Sequence, residues 1–252
     1  MGMLEGAVDF HAMRLREERL SDSCTVYTMT DESGSGTMTC HRLLGGVDLM
    51  FSDFSMNSCF SEDWHLFNEN CLEINHCRAG RYACTFQDGS TAEMREGDLA
   101  VNHLSLFAAS SCFPTGTYQG ICLMIDPKTA EESLEAFPRD VTVDLCDLAD
   151  KVRLCGSCFH LAAKPEVQRL FTDLYAMSPE TERGYFTLRV LELLLYLDST
   201  LSDDRRRESP AISPRQAAKM RRIRQYVVSD MERKISLDKL CEKFDIGRTA
   251  LT

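Results

Sequence analysis

Six histidines and twelve cysteines are the first candidates for metal or thiol chemistry in this chain. The histidines are His11, His41, His65, His76, His103 and His160. Cys155-Gly-Ser-Cys158-Phe-His160 has the Cys-x-x-Cys spacing used by redox and zinc sites. Haem attachment would need a histidine directly after the second cysteine, and Phe159 stands there. No second cysteine pair follows at zinc-ribbon distance, and no strand-to-helix pattern surrounds this one. Two thiols in a connecting segment is the simpler reading, with zinc or redox sensing as the alternative. His76 shares strand parity with Leu72 and Ile74, and His103 shares it with Leu99 and Val101. Two inward histidines could help hold a metal, but such groups are more often hydrogen-bonded core or pocket residues. There is no Gly-rich phosphate loop, no Gly-x-Ser-x-Gly elbow and no His-Glu-x-x-His. No catalytic residue, metal or cofactor is therefore assigned, and the chain is expected not to be an enzyme.

What remains is recognition chemistry. A small-molecule pocket needs apolar walls and a few polar groups. Strand parity and aromatic character suggest His76, Tyr82, Phe86, Phe107 and Tyr118 as its lining. Arg81 could pair an anionic ligand or simply be a solvated turn residue. No ligand identity follows.

The elements that would position these residues change along the chain. Residues 1–23 read as a poorly ordered or helical lead-in. Residues 24–125 carry short β-type runs such as "CTVYTMT", "CLEINHC", "YACTF" and "GICLMID". The turn signals "RAGR", "QDGS", "REGD" and "FPTG" separate them. Asp88-Gly89 is the strongest hairpin signal. Such spacing predicts an antiparallel sandwich or barrel, hence an α+β protein once the helices that follow are counted. Asp126-Pro127 fits a helix cap and first turn, a short helix is expected near 145–152, and "PEVQRLFTDLYAM" has helical periodicity.

Ser178-Pro179 opens a further helix, which continues through "GYFTLRVLELLLYLDST". Phe186, Val190, Leu193, Leu197 and Leu201 form one stripe; Leu188, Leu191 and Leu195 form another. A helix apolar on most sides must be buried on most sides. The segment 179–201 is therefore expected to dimerise, through Leu188, Leu191, Leu194 and Leu195, a central core helix being the alternative. Residues 202–212 read as a linker.

Net charge is −11, unevenly spread. Residues 213–252 hold ten Lys/Arg against five Asp/Glu, a net of +5, which leaves −16 on residues 1–212. That split suggests an anionic partner for the C-terminal segment. Ser213-Pro214-Arg215-Gln216 fits a capping box. Ser236 can cap a helix bearing Leu237, Leu240, Cys241 and Phe244, Gly247 is a natural turn residue, and Arg248 begins another helix. Helix, short turn, helix with basic flanks is the helix-turn-helix plan or, more blandly, any αα-hairpin. The charged N-terminus lacks the apolar core of a secretory signal, and no run reaches the ~18–20 apolar residues of a membrane span. A cytoplasmic chain with mostly free thiols, packed as small hydrophobes, is expected.

"ISLDKLCEKFDIGRTALT" resembles the first helix-turn-helix of the AraC/XylS family of bacterial transcription regulators. Ile235, Ser236, Leu237, Leu240, Phe244, Ile246 and Leu251 match that pattern, while Cys241 and Gly247 replace its usual alanine and serine. "LEINHCRAGRYACTFQDGSTAEMREGDLAVNH" and "FPTGTYQGICLMID" are similar to the cupin-like N-terminal domain of such regulators, and "PEVQRLFTDLYAMSPETERGYFTLRVLELLLYLDS" to the helical pair that carries their dimer contacts. The resemblance implies a cupin-like effector-sensing β domain at 24–125, a helical segment at 126–201 and part of a DNA-binding domain at 213–252. It implies promoter DNA, a small-molecule effector and a second copy of the chain as partners, with Ser236, Lys239, Arg248 and Thr249 toward DNA. The family's DNA-binding domain has two helix-turn-helix units, so these residues are expected to be a truncated form of it, unable to read DNA competently by themselves. Two alternatives stay open: a metal-dependent cupin enzyme with a helical tail, and a truncated partner that dimerises with a full-length regulator and blocks it.

Overall fold

The computed structural model describes residues 14–58, 69–106, 108–156, 158–176, 183–204, 223, 226 and 237–244. The chain divides into two compact units, Asp9–Ser209 and a second made of Pro210–Thr252 with Met1–Val8.

The larger unit is α+β. Its strands are β1 (Arg14–Ser21), β2 (Cys24–Asp31), β3 (Gly34–Leu44), β4 (Val47–Ser55), β5 (Leu72–Phe86), β6 (Thr91–Arg95), β7 (Leu99–His103), β8 (Ala108–Cys112), β9 (Tyr118–Ile125) and β10 (Phe159–Leu161). The main sheet runs β1-β2-β3-β4-β9-β5-β7-β10, with every pairing antiparallel, and β6 and β8 flank the far half of β5. Helices α1 (Pro127–Leu134), α2 (Leu145–Leu154), α3 (Pro165–Ala176) and α4 (Arg183–Asp204) follow the strands.

Several elements depart from the sequence reading. Arg14–Ser21, expected in the lead-in, is strand β1, because a tight turn lets it zip onto β2 from Arg14↔Thr30 to Ser21↔Cys24. "RAGR" does not reverse the chain. It lies inside the 15-residue β5, where a bulge between Cys77 and Ala79 and a positive φ of 82° at Gly80 bend the strand from one sheet into the other. Phe159–Leu161, expected in a connecting segment, pairs with β7. α4 runs three residues into the expected linker. The 87–90 hairpin turn is as expected: Gly89 has φ 77°, and Asp88 Oδ1 accepts from the Ser90 backbone N–H at 2.8 Å.

The two faces of the main sheet differ in chemistry because side chains alternate across it. One face presents Leu49, Leu72, Ile74, Leu99, Ile121 and Leu123, all essentially fully buried under the helices. Each such side chain stabilises the fold by roughly 1.5–3 kcal/mol. The opposite face is rich in sulfur. Met50, Cys71, Cys122 and Met124 form one cluster there, and Met29, Met56, Cys77 and Met94 join Phe54, Phe113 and Tyr118 in another. The eleven described cysteines are free thiols. Burial pushes Cys40, Cys77, Cys84 and Cys158 up to about 12, so these thiols stay protonated and pack as small apolar groups. Among the described residues no helix is long and apolar enough to cross a membrane.

In the smaller unit the described helix is α5 (Leu237–Phe244). Leu240 is buried, Phe244 meets Tyr226 edge-on at 5.6 Å, and Lys243 Nζ lies 3.6 Å from the centre of the Tyr226 ring. Lys239 is exposed.

Candidate functional site

The residues expected to share a pocket fall on two different faces of the sheet. His76 and Tyr82 have the same parity and would share one face of an unbroken strand. The bulge at Cys77/Ala79 adds a residue between them and reverses the alternation. His76 consequently faces the helices, and Tyr82 faces the sulfur-rich side.

His76 is an anchor for α3. Its ring stacks on Phe171, with centroids 4.0 Å apart and planes 6° from parallel. Gln168 Nε2, which also donates to the Gly97 carbonyl at 2.8 Å, lies 3.3 Å from His76 Nε2. An amide N–H can only donate, so Nε2 accepts and Nδ1 carries the proton. Nδ1 then donates to Tyr175 Oη at 3.0 Å, and Tyr175 donates back to the His76 carbonyl at 3.4 Å. Burial lowers the imidazole to about 4, against a smaller upward pull from Asp98. At neutral pH this is an uncharged structural histidine.

His103 lies at the other end of the same ladder. Leu72 pairs with His103 and His76 with Leu99, so four residue steps separate the two rings' positions, on the order of 13 Å at ~3.3 Å per residue. His103 Nδ1 contacts Ser105 Oγ at 2.8 Å. The two histidines do not meet around a common ion. The Cys155–His160 group is also dispersed. The exposed Cys155 donates to the Lys151 carbonyl, Cys158 packs against the sulfur-rich interior, and His160 Nε2 sits 3.2 Å from Asp98. Among the described residues no three His, Cys, Asp or Glu side chains are placed to hold a metal.

Tyr82 and Tyr118 do come together, with ring centroids 5.7 Å apart. The hub between them is Phe113, which sequence reasoning missed. It stacks on Tyr118 at 5.3 Å and on Phe54 at 5.2 Å, and tilts against Tyr82 at 6.2 Å. Its place before Pro114 in a turn signal hid its inward direction; its size was the available clue. Phe86 is buried. Arg81 is already engaged at the surface, its Nη1 lying 3.4 Å from Glu93. Phe107 lies outside the described residues, as do Ser236, Arg248 and Thr249.

The four leucines expected to dimerise divide in two. Leu191 and Leu194 are 5% and 1% exposed and belong to the chain's own core. Leu188 and Leu195 are 60% and 37% exposed and, with Tyr185, line one outward face at spacings of three and seven residues. α4 is turned inward by Phe186, Val190, Leu193 and Leu197, which places 191 and 194 on the flank of the buried stripe.

No family model and no curated protein matches this sequence. Solved structures do. The AraC-like transcriptional activator CuxR matches over 95% of this chain and 78% of its own, at 12% identity and a TM-score of 0.38. Unsaturated-fatty-acid-bound ToxT from Vibrio cholerae matches over 83% and 72%, at 12% identity and a TM-score of 0.38. An HTH_3-family transcriptional regulator, also from Vibrio cholerae, matches over 36% and 51%, at 14% identity and a TM-score of 0.29. Structural neighbours spanning most of the chain thus include AraC-like regulators. With TM-scores below 0.5, the functional reading has to rest on the chain's own residues.

Proposed function

We propose that this chain is part of a ligand-responsive transcription regulator of AraC type. The β domain, from β1 to β9 with β10, senses the effector, the helices that follow it dimerise through α4, and 213–252 is the segment directed at DNA. The observation that carries this reading is the C-terminal stretch itself. It combines the helix-turn-helix pattern of Ile235–Leu251 with a net charge of +5 on a chain whose remainder carries −16. Helix α5, with Leu240 inward and Lys239 outward, has the amphipathic form that a supporting helix of that motif needs. Lys and Arg contacts to phosphates would supply salt-dependent affinity, and Arg248 and Thr249 would face base edges.

Effector binding acts, in this reading, by favouring one arrangement of the protein over another, which requires unequal affinity for the two. The aromatic group of Tyr82, Phe113, Tyr118 and Phe54 is the apolar wall that such a ligand would meet. The outward face of α4 formed by Tyr185, Leu188 and Leu195 is the surface for a second copy. A metal-dependent enzyme is the weaker reading, because His76 and His103 sit far apart on one ladder and His76 is spent on α3. Gel-shift titration of the chain against duplex DNA is the test. Lys239→Gln and Arg248→Gln should each weaken binding; binding indifferent to both would remove this segment from the DNA contact.

A further inference from the structure

On the sulfur-rich side of the main sheet, β2, β3 and β4, with the turn before β2, line a half-open recess of about 180 Å³. Its walls follow from register. Arg42 on β3 lies opposite Asp48 on β4, Cys40 lies opposite Met50, and Thr25 on β2 lies beside Cys40. Positions two apart on a strand share a face, so these side chains rise together. At ~30 Å³ per water, the space equals about six water molecules. That is room for a compact molecule and too little for a drug-sized one.

The recess has an apolar floor and one acid, Asp48, in its wall. Met50 belongs to the buried sulfur cluster, with Cys40 packed against it. The Cys40 thiol is pushed up to about 12 by burial and the Tyr27 phenol is also raised, so both stay neutral at physiological pH. Asp48 is 22% exposed, and its carboxyl is raised by the same desolvation. Among the described residues its ion pair is with Arg42, Nε to Oδ1 at 3.7 Å, made by a guanidinium that is 67% exposed. A carboxylate offers about four lone-pair sites, so an ammonium can share it with Arg42. Asp22, at the rim, is already bonded by Arg19 at 3.0 Å. An anionic ligand would meet Asp48 and Asp22 together. An ammonium brings three donors and no acceptor, and a second cation beside Asp48 offsets its desolvation.

We propose that this recess binds a small primary amine, its ammonium on Asp48 and its hydrocarbon body on Met50. The site shares no residue with the Tyr82 group, and the proposal stands independently of the regulatory reading. It is tested by calorimetric titration of the full chain with n-pentylammonium, using 1-pentanol and pentanoate as comparisons. Saturable one-to-one binding of n-pentylammonium is expected, at least tenfold tighter than either comparison. Asp48→Asn should weaken it at least tenfold. Arg42→Gln, at an exposed position, removes the competing cation and should leave binding equal or tighter; it supplies the decisive variant if Asp48→Asn does not fold. Pentanoate binding as well as the amine, unchanged binding in a folded Asp48→Asn, a tenfold loss in Arg42→Gln, or no saturable binding would each overturn the proposal. No DNA enters the assay, so either result leaves the regulatory reading to its own test.

Discussion

His76 shows how a residue's chemistry is decided by its neighbours rather than by its type. The bond it accepts from Gln168 requires the neutral ring, because a protonated imidazole has no acceptor, and burial against Phe171 disfavours the charge. With the folded-state value lowered from 6.5 to about 4, the sign of its pH dependence follows. Above pH 6.5 both folded and unfolded chains are neutral here, and the contribution to stability is complete. As pH falls, the unfolded chain takes up a proton that the folded one refuses, and stability drops until about pH 4. The full effect is about 3 kcal/mol. Denaturant unfolding at pH 7 and pH 5 should therefore show a loss that His76→Gln flattens; an equally steep loss in the variant would assign it to other groups. Phe113 makes the complementary point. Phe113→Ala should cost about 3–5 kcal/mol and, if the aromatic group forms the effector's wall, should abolish the effector response in variants that still fold.

At the scale of elements, the decisive event is the bend in β5. Gly80 has φ 82°, and a Cβ there would lie 2.2 Å from the Thr117 carbonyl oxygen. Gly89 has a similar φ of 77° with nothing within 4 Å. Gly89→Ala should cost about 1 kcal/mol of backbone strain, and Gly80→Ala distinctly more, because the backbone of β9 must also move. Equal losses in thermal or denaturant unfolding would show that close approach is irrelevant. This bend also explains what the sequence made legible. Strand runs, the Asp88-Gly89 hairpin, the helix start at Asp126-Pro127 and the buried stripe of α4 are local patterns, and they were readable. A bulge is one extra residue whose presence depends on partners 40 residues away, so the face assigned to His76 could not be read from parity. The split within α4 has the same origin: periodicity finds apolar faces but does not say which of them the chain covers itself. Leu188→Glu with Leu195→Glu should shift sedimentation toward monomer with little loss of stability, whereas Leu191→Ala should cost about 2–5 kcal/mol of stability. A double variant that associates as the parent does would remove α4 from the interface.

At the scale of the whole molecule, the separation of charge carries the functional account. A body of −16 repels nucleic acid, so any attraction to DNA must arise from the C-terminal segment with its ten Lys and Arg. The most direct measurement is the affinity of the chain for a mixed-sequence DNA duplex across a salt series. Binding is expected at low salt, with log K falling linearly in log salt at a slope of about −0.9 per phosphate neutralised. Lys239→Gln and Arg248→Gln should each make that slope shallower by about one contact. No binding at low salt, or a slope that neither substitution changes, would contradict the claim that this segment is built to meet DNA.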